Sequence, residues 1–245
     1  VFGVLERDDW LKSATFQALD PDEQAQIEED VTELLLVQSL DTLADAGQMG
    51  GYRANMSVLS NFTKIPPQHQ RTHAVQMLMS KVNSSPGPTR APAAPPGDWD
   101  VFDVYLTGVL EAKEKRDETA RLYFKAAAER CKETDRPLKF WAHFQLADCA
   151  YRLRSQGTRS SEAVDRLLEE AVREYSACIV LRSEFAWSYH NLGLVYRAQG
   201  KLGEAAKQFE EAIVRDAKLS TAYSNLAAVQ VEQELFDEAE QTCTQ

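Results

Sequence analysis

Residues 186–219 read AWSYHNLGLVYRAQGKLGEAAKQFEEAIVRDAKL, and the pattern of this stretch begins again directly after it. The recurring positions lie 34 residues apart, and they pair Tyr189 with Tyr223, Leu192 with Leu226, Gly193 with Ala227 and Ala205 with Ala239. Aromatic residues and leucine fill the space between helices, whereas glycine and alanine let two helices approach closely. A period of this length holds two helices and a turn, so the stretch predicts helical hairpins that stack on one another.

The same template can be followed toward the N-terminus. Gly108, Ala120, Phe124 and Ala127 match the small, small, aromatic and small positions of an earlier unit. We therefore predict an array over residues 99–245. Its units are 101–134, 138–183, 186–219 and 220–245, the last of which is cut short. Because such an array normally needs a capped end, we expect the chain to be part of a longer protein and the uncapped end to permit self-association.

The second unit contains an insertion. Leu146 and Ala171 are 25 positions apart, whereas Leu192 and Ala205 are 13 apart, so 12 residues have been added. The apolar spacing that follows Ser160, a residue able to cap a helix, favours a lengthened second helix. The turn formers QGTRSS around that serine favour a longer loop instead. Both interpretations remain open at this point.

The repeated unit has an aromatic residue and a Leu-Gly pair in its first helix, and Ala, Phe and Ala in its second. It resembles the tetratricopeptide (TPR) repeat. The resemblance implies an all-α fold, a right-handed superhelix of TPR and TPR-like helix-turn-helix repeats, which is an α-solenoid. It also implies a protein-protein interaction scaffold that binds a peptide or helix in a concave groove and needs no cofactor.

In TPR proteins the inward-facing positions of the first helix in each unit bind peptides. Carried over to this sequence, they imply an aromatic groove with polar ends, where aromatic side chains anchor a peptide and amides pair with its backbone. The groove residues are Phe102, Tyr105, Trp141, Phe144, Gln145, Asp148, Trp187, His190, Asn191, Arg197 and Asn225. A competing interpretation has Trp141 and Trp187 packing against the preceding helix. A clamp for chaperone carboxylates would need lysine where Trp141, Trp187 and Thr221 stand, so such a clamp is not expected.

Two stretches of the array, FWAHFQLADCAYRL (140–153) and YSACIVLRSEFAWSYHNLGLVYRAQG (175–200), look like TPR regions attached to bacterial Ser/Thr protein kinases of the planctomycete type. The stretch DPDEQAQIEEDVTELLLVQSL (20–40) is similar to a helical segment between such a kinase domain and its TPR array. This resemblance implies a regulatory module of a larger signalling protein. The module would serve as a scaffold for a partner in trans, or as an autoinhibitory or docking extension of the kinase in cis. No kinase or nucleotide-binding motif occurs in the chain, so we predict that it is not itself an enzyme.

Residues 1–82 are predicted to be an N-terminal helical region, whose irregular period is compatible with degenerate repeats that continue the same superhelix. Asp20 and Glu23 form a capping-box pattern around Pro21, which predicts that a helix starts there. A tract rich in proline, alanine and serine, residues 83–98, is predicted to link this region to the array.

Composition limits the partners and the compartment. The net charge is −11 and no basic stripe occurs, so neither nucleic acid nor an anionic membrane is an expected partner. No apolar run approaches the roughly 20 residues that a membrane-spanning helix needs, and the first residues do not form a signal peptide. The four cysteines are scattered, and we expect them to be reduced and buried, as in a cytoplasmic protein. They are Cys131, Cys149, Cys178 and Cys243.

Histidines offer the one alternative of another class, a helical enzyme or a metal protein. His69 and His73 are four residues apart and would share one face of a helix, which is a spacing that can hold a metal. No further ligand stands at a useful spacing from them, so no metal is predicted. His143 lies next to aromatic residues, where packing is the simpler role. Metal analysis of the purified protein tests this alternative.

Overall fold

The computed structural model describes residues 10–25, 27–28, 31–32, 35, 64–65, 76, 91–132 and 135–244. The chain divides into two compact units, Val1–Thr119 and Ala120–Gln245. Every regular element within the described ranges is a helix. The all-helical prediction is therefore confirmed for this part of the chain.

In the described residues of the first unit, a short 3-10 helix and two α-helices have complete bounds, and residues 21–25 are also helical. The elements with complete bounds are Trp10–Lys12, α1 (Ala14–Gln17) and α2 (Val101–Lys113). Helix α3 (Asp117–Arg130) begins at the end of this unit and continues into the second. The remaining helices form pairs. They are α4 (Arg136–Leu153) with α5 (Ser161–Leu181), α6 (Ala186–Ala198) with α7 (Leu202–Arg215), and α8 (Ser220–Glu232) with α9 (Phe236–Cys243).

Several helix starts follow from capping side chains in the sequence. Asp20 accepts a hydrogen bond from the Glu23 amide at 2.9 Å, and Glu23 accepts one from the Asp20 amide at 3.2 Å, which confirms the predicted capping box. Ser160 caps α5 by accepting from the amide of Ala163. Asp100 caps α2 in the same way, through the amide of Asp103.

The insertion in the second repeat, residues 138–183, is divided between helix and loop. Helix α5 begins ten residues before Ala171, whereas α7 begins three residues before Ala205, the equivalent position. The connection between α4 and α5 runs from 154 to 160, longer than the 199–201 connection between α6 and α7. Both interpretations of the insertion are therefore partly right, and the helix takes the larger share.

In the compact unit Ala120–Gln245, consecutive helices pack against each other from α4 to α9, and α6 also contacts α8. The close approach of α6 and α7 depends on Gly193. A Cβ atom placed there would lie 2.7 Å from Cε1 of Phe209, whose ring is completely buried. The predicted role of this glycine, to leave room between the two helices of one unit, is confirmed.

Helices α6 and α8 end in the same hydrogen-bonded turn, but only one of them has glycine in it. After α6, Gly200 has φ of +73°, and the amide of Lys201 donates to the carbonyl of Tyr196 at 2.9 Å. After α8, Glu234 has φ of +65°, and the amide of Leu235 donates to the carbonyl of Gln230 at 2.8 Å. This pattern is the Schellman motif, whose left-handed residue is usually glycine. Glu234 therefore adopts a backbone conformation that disfavours a side chain.

We expect Glu234→Gly to stabilise the protein by about 0.5–1 kcal/mol, because glycine adopts the left-handed conformation without steric cost. Gly200→Ala should destabilise it by a similar amount. Urea unfolding followed by circular dichroism measures both. Equal midpoints for Glu234→Gly and the original chain would contradict this prediction.

Much of the predicted N-terminal organisation lies outside the described residues. This applies to most of the helical region 1–82 and to residues 83–90 of the linker. Residues 91–100, which include the rest of the linker, contain no helix or strand. The proposed domain and repeat boundaries stay predictions.

Three of the four cysteines are buried, and all four are free thiols. Burial raises the pKa of the Cys178 thiol, whose sulfur lies 3.6 Å from the carbonyl oxygen of Phe140. The prediction that all four are buried is wrong for Cys243, which is exposed. It occupies the repeat position of Phe209 but lies at the end of α9, where no later helix packs over it among the described residues.

No helix in the described ranges combines the length and the apolar character that crossing a membrane requires.

Candidate functional site

An aromatic cluster joins α4 to the start of α6. Phe140, Trp141 and Phe144 project from α4, and Phe185 is the residue directly before α6. The Phe185 ring lies 5.3 to 5.8 Å from each of these three rings, edge to face in every case. Such pairs add stabilisation beyond the area they bury. We infer that the cluster holds α6 in position, and that Trp141 and Phe144 contribute to this packing.

Trp187 differs from Trp141 because its side chain remains 41% exposed. Its ring meets His190 edge to face at 5.2 Å, and His190 in turn lies 5.7 Å from the buried ring of Phe209. His190 is itself only 5% exposed. Trp187 thus covers a buried histidine and presents its other surface to solvent.

Four polar side chains form a continuous series of hydrogen bonds from α5 through α6 to α8. We call this series the polar ladder; its members are Tyr175, Asn191, His190 and Asn225. Asn191 Nδ2 donates to the Tyr175 hydroxyl at 3.3 Å, and His190 Nδ1 lies 3.0 Å from Asn191 Oδ1. Asn225 Nδ2 lies 3.0 Å from His190 Nε2 and donates to the carbonyl of Thr221 at 2.9 Å.

The hydrogen bonds of the polar ladder require His190 to be uncharged. Nε2 of His190 faces a donor, the amide of Asn225, so the proton is on Nδ1 and is donated to Asn191. Burial lowers the pKa of His190, although the hydrogen bond to Asn191 acts in the opposite direction. Burial also raises the pKa of Tyr175 well above its usual value, and the charge of Asp148 adds to the shift. Both buried groups of the ladder are therefore neutral near pH 7.

We expect His190 to make the protein less stable in mildly acidic solution. In the unfolded chain His190 binds a proton as the pH falls through about 6.5, whereas the folded protein keeps it neutral to a lower pH. The contribution of neutral His190 to the free energy of unfolding is fully present above pH 6.5 and is lost as the pH falls below that value. His190→Gln should reduce the pH slope of the unfolding free energy between pH 7 and 5 by up to about 1.4 kcal/mol per pH unit. Identical slopes for the two proteins would contradict this prediction.

The other predicted groove residues are placed less favourably. Phe102 and Tyr105 are buried in the first unit, at 6% and 0% exposure, since α2 is enclosed on almost every side. Asp148 forms an ion pair with Arg152 on its own helix, and Arg197 forms one with Glu232 on α8. Gln145 is half-buried on α4. The residues that the structure connects at one solvent-accessible place are Trp187, His190, Asn191 and Asn225.

Sequence reasoning missed two residues that organise this site. Phe185 stands just before its helix, where the repeat template assigns no role, yet it connects three aromatic side chains. Tyr175 takes the repeat position of Phe209, a core position, and its hydroxyl also receives a hydrogen bond from Asn191. The hydroxyl that distinguishes tyrosine from phenylalanine was the signal for this second role.

Of the histidines in the metal alternative, the structure describes His143. Nδ1 of His143 lies 2.7 Å from a carboxylate oxygen of Glu174 on α5. Within the described residues, no three histidine, cysteine, aspartate or glutamate side chains are grouped as a metal site would require. His69 and His73 lie outside those residues.

Comparison with known proteins identifies the fold. Residues 185–215, which span α6 and α7, match the family model described as tetratricopeptide repeat. MamA, residues 41 to the end, from Desulfovibrio magneticus RS-1 is similar in structure with a TM-score of 0.51, at 14% identity over 87% of this chain and 92% of that one. TTC0263, a thermophilic TPR protein in Thermus thermophilus, gives a TM-score of 0.50 at 17% identity over 83% of this chain and 87% of that one. None of the curated proteins matches the chain.

The matched segment corresponds closely to one helical hairpin, from Phe185 to the last residue of α7, Arg215. The predicted fold class, an all-α solenoid of TPR and TPR-like repeats, is thus confirmed by the family model and by the two solved structures. At such low identity these structures show the fold alone.

Proposed function

We propose that this chain is a protein-interaction module that binds an extended peptide at Trp187, Asn191 and Asn225. The observation that carries the proposal is an exposed indole beside two amides with remaining hydrogen-bonding capacity. Exposed aromatic residues with little conformational freedom are frequent anchors in protein interfaces.

The two asparagines complement a peptide backbone. Within the described residues, one N–H of Asn191 and the Oδ1 atom of Asn225 make no hydrogen bond. The first can donate to a peptide carbonyl and the second can accept from a peptide amide. The polar ladder fixes both side chains before a ligand arrives, which lowers the entropic cost of binding.

The experiment selects peptides from a random library on the full 245-residue chain and measures their affinity for variants. We expect selected peptides to bind Trp187→Ala and Asn225→Ala at least about tenfold more weakly, as is typical of interface anchors. Val214→Ala is the control, because Val214 is 79% exposed on α7 and has no part in the site. Circular dichroism establishes that each variant is folded. Selected peptides that bind Trp187→Ala as well as the original chain would refute this function.

Two finer parts of the proposal rest on the sequence. Restraint of an attached Ser/Thr kinase domain in cis stays a prediction from the resemblance, and a selected consensus found within such a kinase would favour it. A cytoplasmic location is also part of the proposal. It is supported by Cys131, Cys149 and Cys178, which are buried as free thiols.

A further inference from the structure

His190 contacts all three residues of the proposed peptide site. Its ring meets Trp187 edge to face at 5.2 Å. Its two nitrogens lie 3.0 Å from Oδ1 of Asn191 and 3.0 Å from Nδ2 of Asn225. His190 itself is only 5% exposed. A bound peptide would therefore meet the three residues around His190 rather than the imidazole ring.

Neighbouring helices hold the imidazole of His190 in place. Its helix, α6, packs against α5, α7 and α8. The ring of Phe209 on α7 lies 5.7 Å from the imidazole. Asn191 connects the imidazole to the Tyr175 hydroxyl on α5, and Asn225 belongs to α8. A side chain that is fixed from three helices can in turn fix the side chains that contact a ligand.

The carbonyl of Thr221 sets the direction of the hydrogen bonds. A carbonyl oxygen only accepts, so the atom of Asn225 that lies 2.9 Å from it is the donor Nδ2. Both hydrogens of Nδ2 are then used, one on the Thr221 carbonyl and one on Nε2 of His190. A reversed amide would place Oδ1 against the Thr221 carbonyl, where two acceptors repel each other. Thr221 and neutral His190 together hold the amide of Asn225 in one orientation.

This orientation determines which ligand group can bind to Asn225. The amide presents its acceptor, Oδ1, so the ligand must supply a donor, and in a peptide backbone the donor is an N–H. Proline has no backbone N–H, so it is excluded at that residue of the ligand. Without His190, only the Thr221 carbonyl would hold the Asn225 amide, and ordering a freer side chain on binding would cost affinity.

We propose that His190 is the positioning residue of the peptide site, and that through it the site recognises a backbone N–H of a ligand residue other than proline. This inference rests on the proposed function, since it concerns the same site. His190 does not touch the ligand. It holds Asn225 as an acceptor, keeps one N–H of Asn191 directed away from the ladder, and supports the ring of Trp187.

The test uses the full 245-residue chain and the tightest-binding peptide from the library selection. Each backbone amide of this peptide is replaced in turn by an ester, which removes one N–H and keeps the shape. By isothermal titration calorimetry we expect one ester to weaken binding to the original chain about three- to tenfold, as the loss of one hydrogen bond does. Asn225→Ala should bind that ester and the amide peptide with equal affinity, because the acceptor is gone.

Variants of His190 test its positioning role. His190→Phe keeps a ring beside Trp187 and Phe209 but removes both hydrogen bonds, so the ester should weaken binding less than about twofold. His190→Leu also lacks both bonds and should behave in the same way. His190→Gln, whose amide can still donate and accept, should retain most of the ester effect. The matched control is Ser224→Ala, which should leave the ester effect unchanged. Ser224 takes the repeat position of His190 on α8, and its hydroxyl donates to the carbonyl of Ser220 on its own helix.

Two outcomes would overturn the proposal. The first is a Trp187-dependent peptide whose ester effects are the same in the original chain and in the folded His190→Phe or His190→Leu protein, or are all unchanged by Asn225→Ala. The peptide-binding function would then stand without this inference, because a purely structural role of His190 affects amide and ester peptides alike. The second is a selection that gives no Trp187-dependent peptide, which refutes the proposed function and this inference together. Circular dichroism establishes which variants are folded.

Discussion

Gly193→Ala is expected to lower the free energy of unfolding by about 2 kcal/mol, although alanine is by far the better helix former. The new methyl group would lie 2.7 Å from Cε1 and 2.9 Å from Cδ1 of Phe209. That ring is completely buried and cannot turn into solvent, so α6 and α7 must move apart or the ring must leave its preferred rotamer. Urea unfolding followed by circular dichroism measures the loss.

The internal repeat provides the control for this prediction. One repeat later alanine does occupy the position of Gly193, as Ala227, and the position of Phe209 holds the smaller Cys243. Phe209→Cys alone should cost about 3–4 kcal/mol through the cavity it leaves. If the methyl group and the ring compete for the same space, the double variant should be at least about 1 kcal/mol more stable than the sum of the two losses indicates. Strict additivity would show that no such competition exists.

Arg116→Ala should destabilise the first unit by about 3 kcal/mol or more, because it leaves a buried carboxylate without its partner. The side chain of Glu111 has no exposed surface. Its two oxygens accept hydrogen bonds from Nε and Nη2 of Arg116 at 2.6 and 2.7 Å, and the same bonds raise the pKa of Arg116. No other hydrogen-bond partner of the Glu111 carboxylate is present in the described part of the chain.

Two further variants separate the lost pair from a general loss of packing. Arg116→Lys keeps the charge but not the two-pronged geometry, so its cost should be intermediate. Adding Glu111→Met to Arg116→Ala removes the stranded charge, and we expect it to recover most of the stability. If the double variant is no more stable than Arg116→Ala, the loss of stability comes from the arginine side chain alone. Urea titration of all four proteins gives the comparison.

The repeat pattern predicts most of the fold because its key residues act through the size of their side chains, which is known from the sequence. Leu192, Gly193 and Phe209 can be assigned from spacing alone, and the structure places them in the core as expected. The division of the insertion could not be predicted, because the turn formers around Ser160 also include a good helix cap. Neighbouring helices decide how far the helix extends.

The candidate site was less predictable, because it depends on which neighbour each side chain meets. His190 and Trp187 both fall on inward-facing positions, yet one is almost completely buried and the other is 41% exposed. The hydrogen bond between His190 and Asn225 joins residues 35 positions apart, which no local pattern reveals. Phe185 contributes through edge-to-face contacts with a helix of the preceding unit, and these also require the packed structure.

The polar ladder has a consequence for how the compact unit Ala120–Gln245 unfolds. In a stacked array each repeat is stabilised by its own helices and by its interfaces, and weak interfaces allow repeats to unfold one by one. Here α5, α6 and α8 are joined by partly buried hydrogen bonds, and their partners would lose this pairing if one helix separated. Separation of α8 would therefore weaken α6 as well, so the coupling energy between these repeats is high. The unit should exchange its backbone amides in one cooperative event, with little independent fraying of α8.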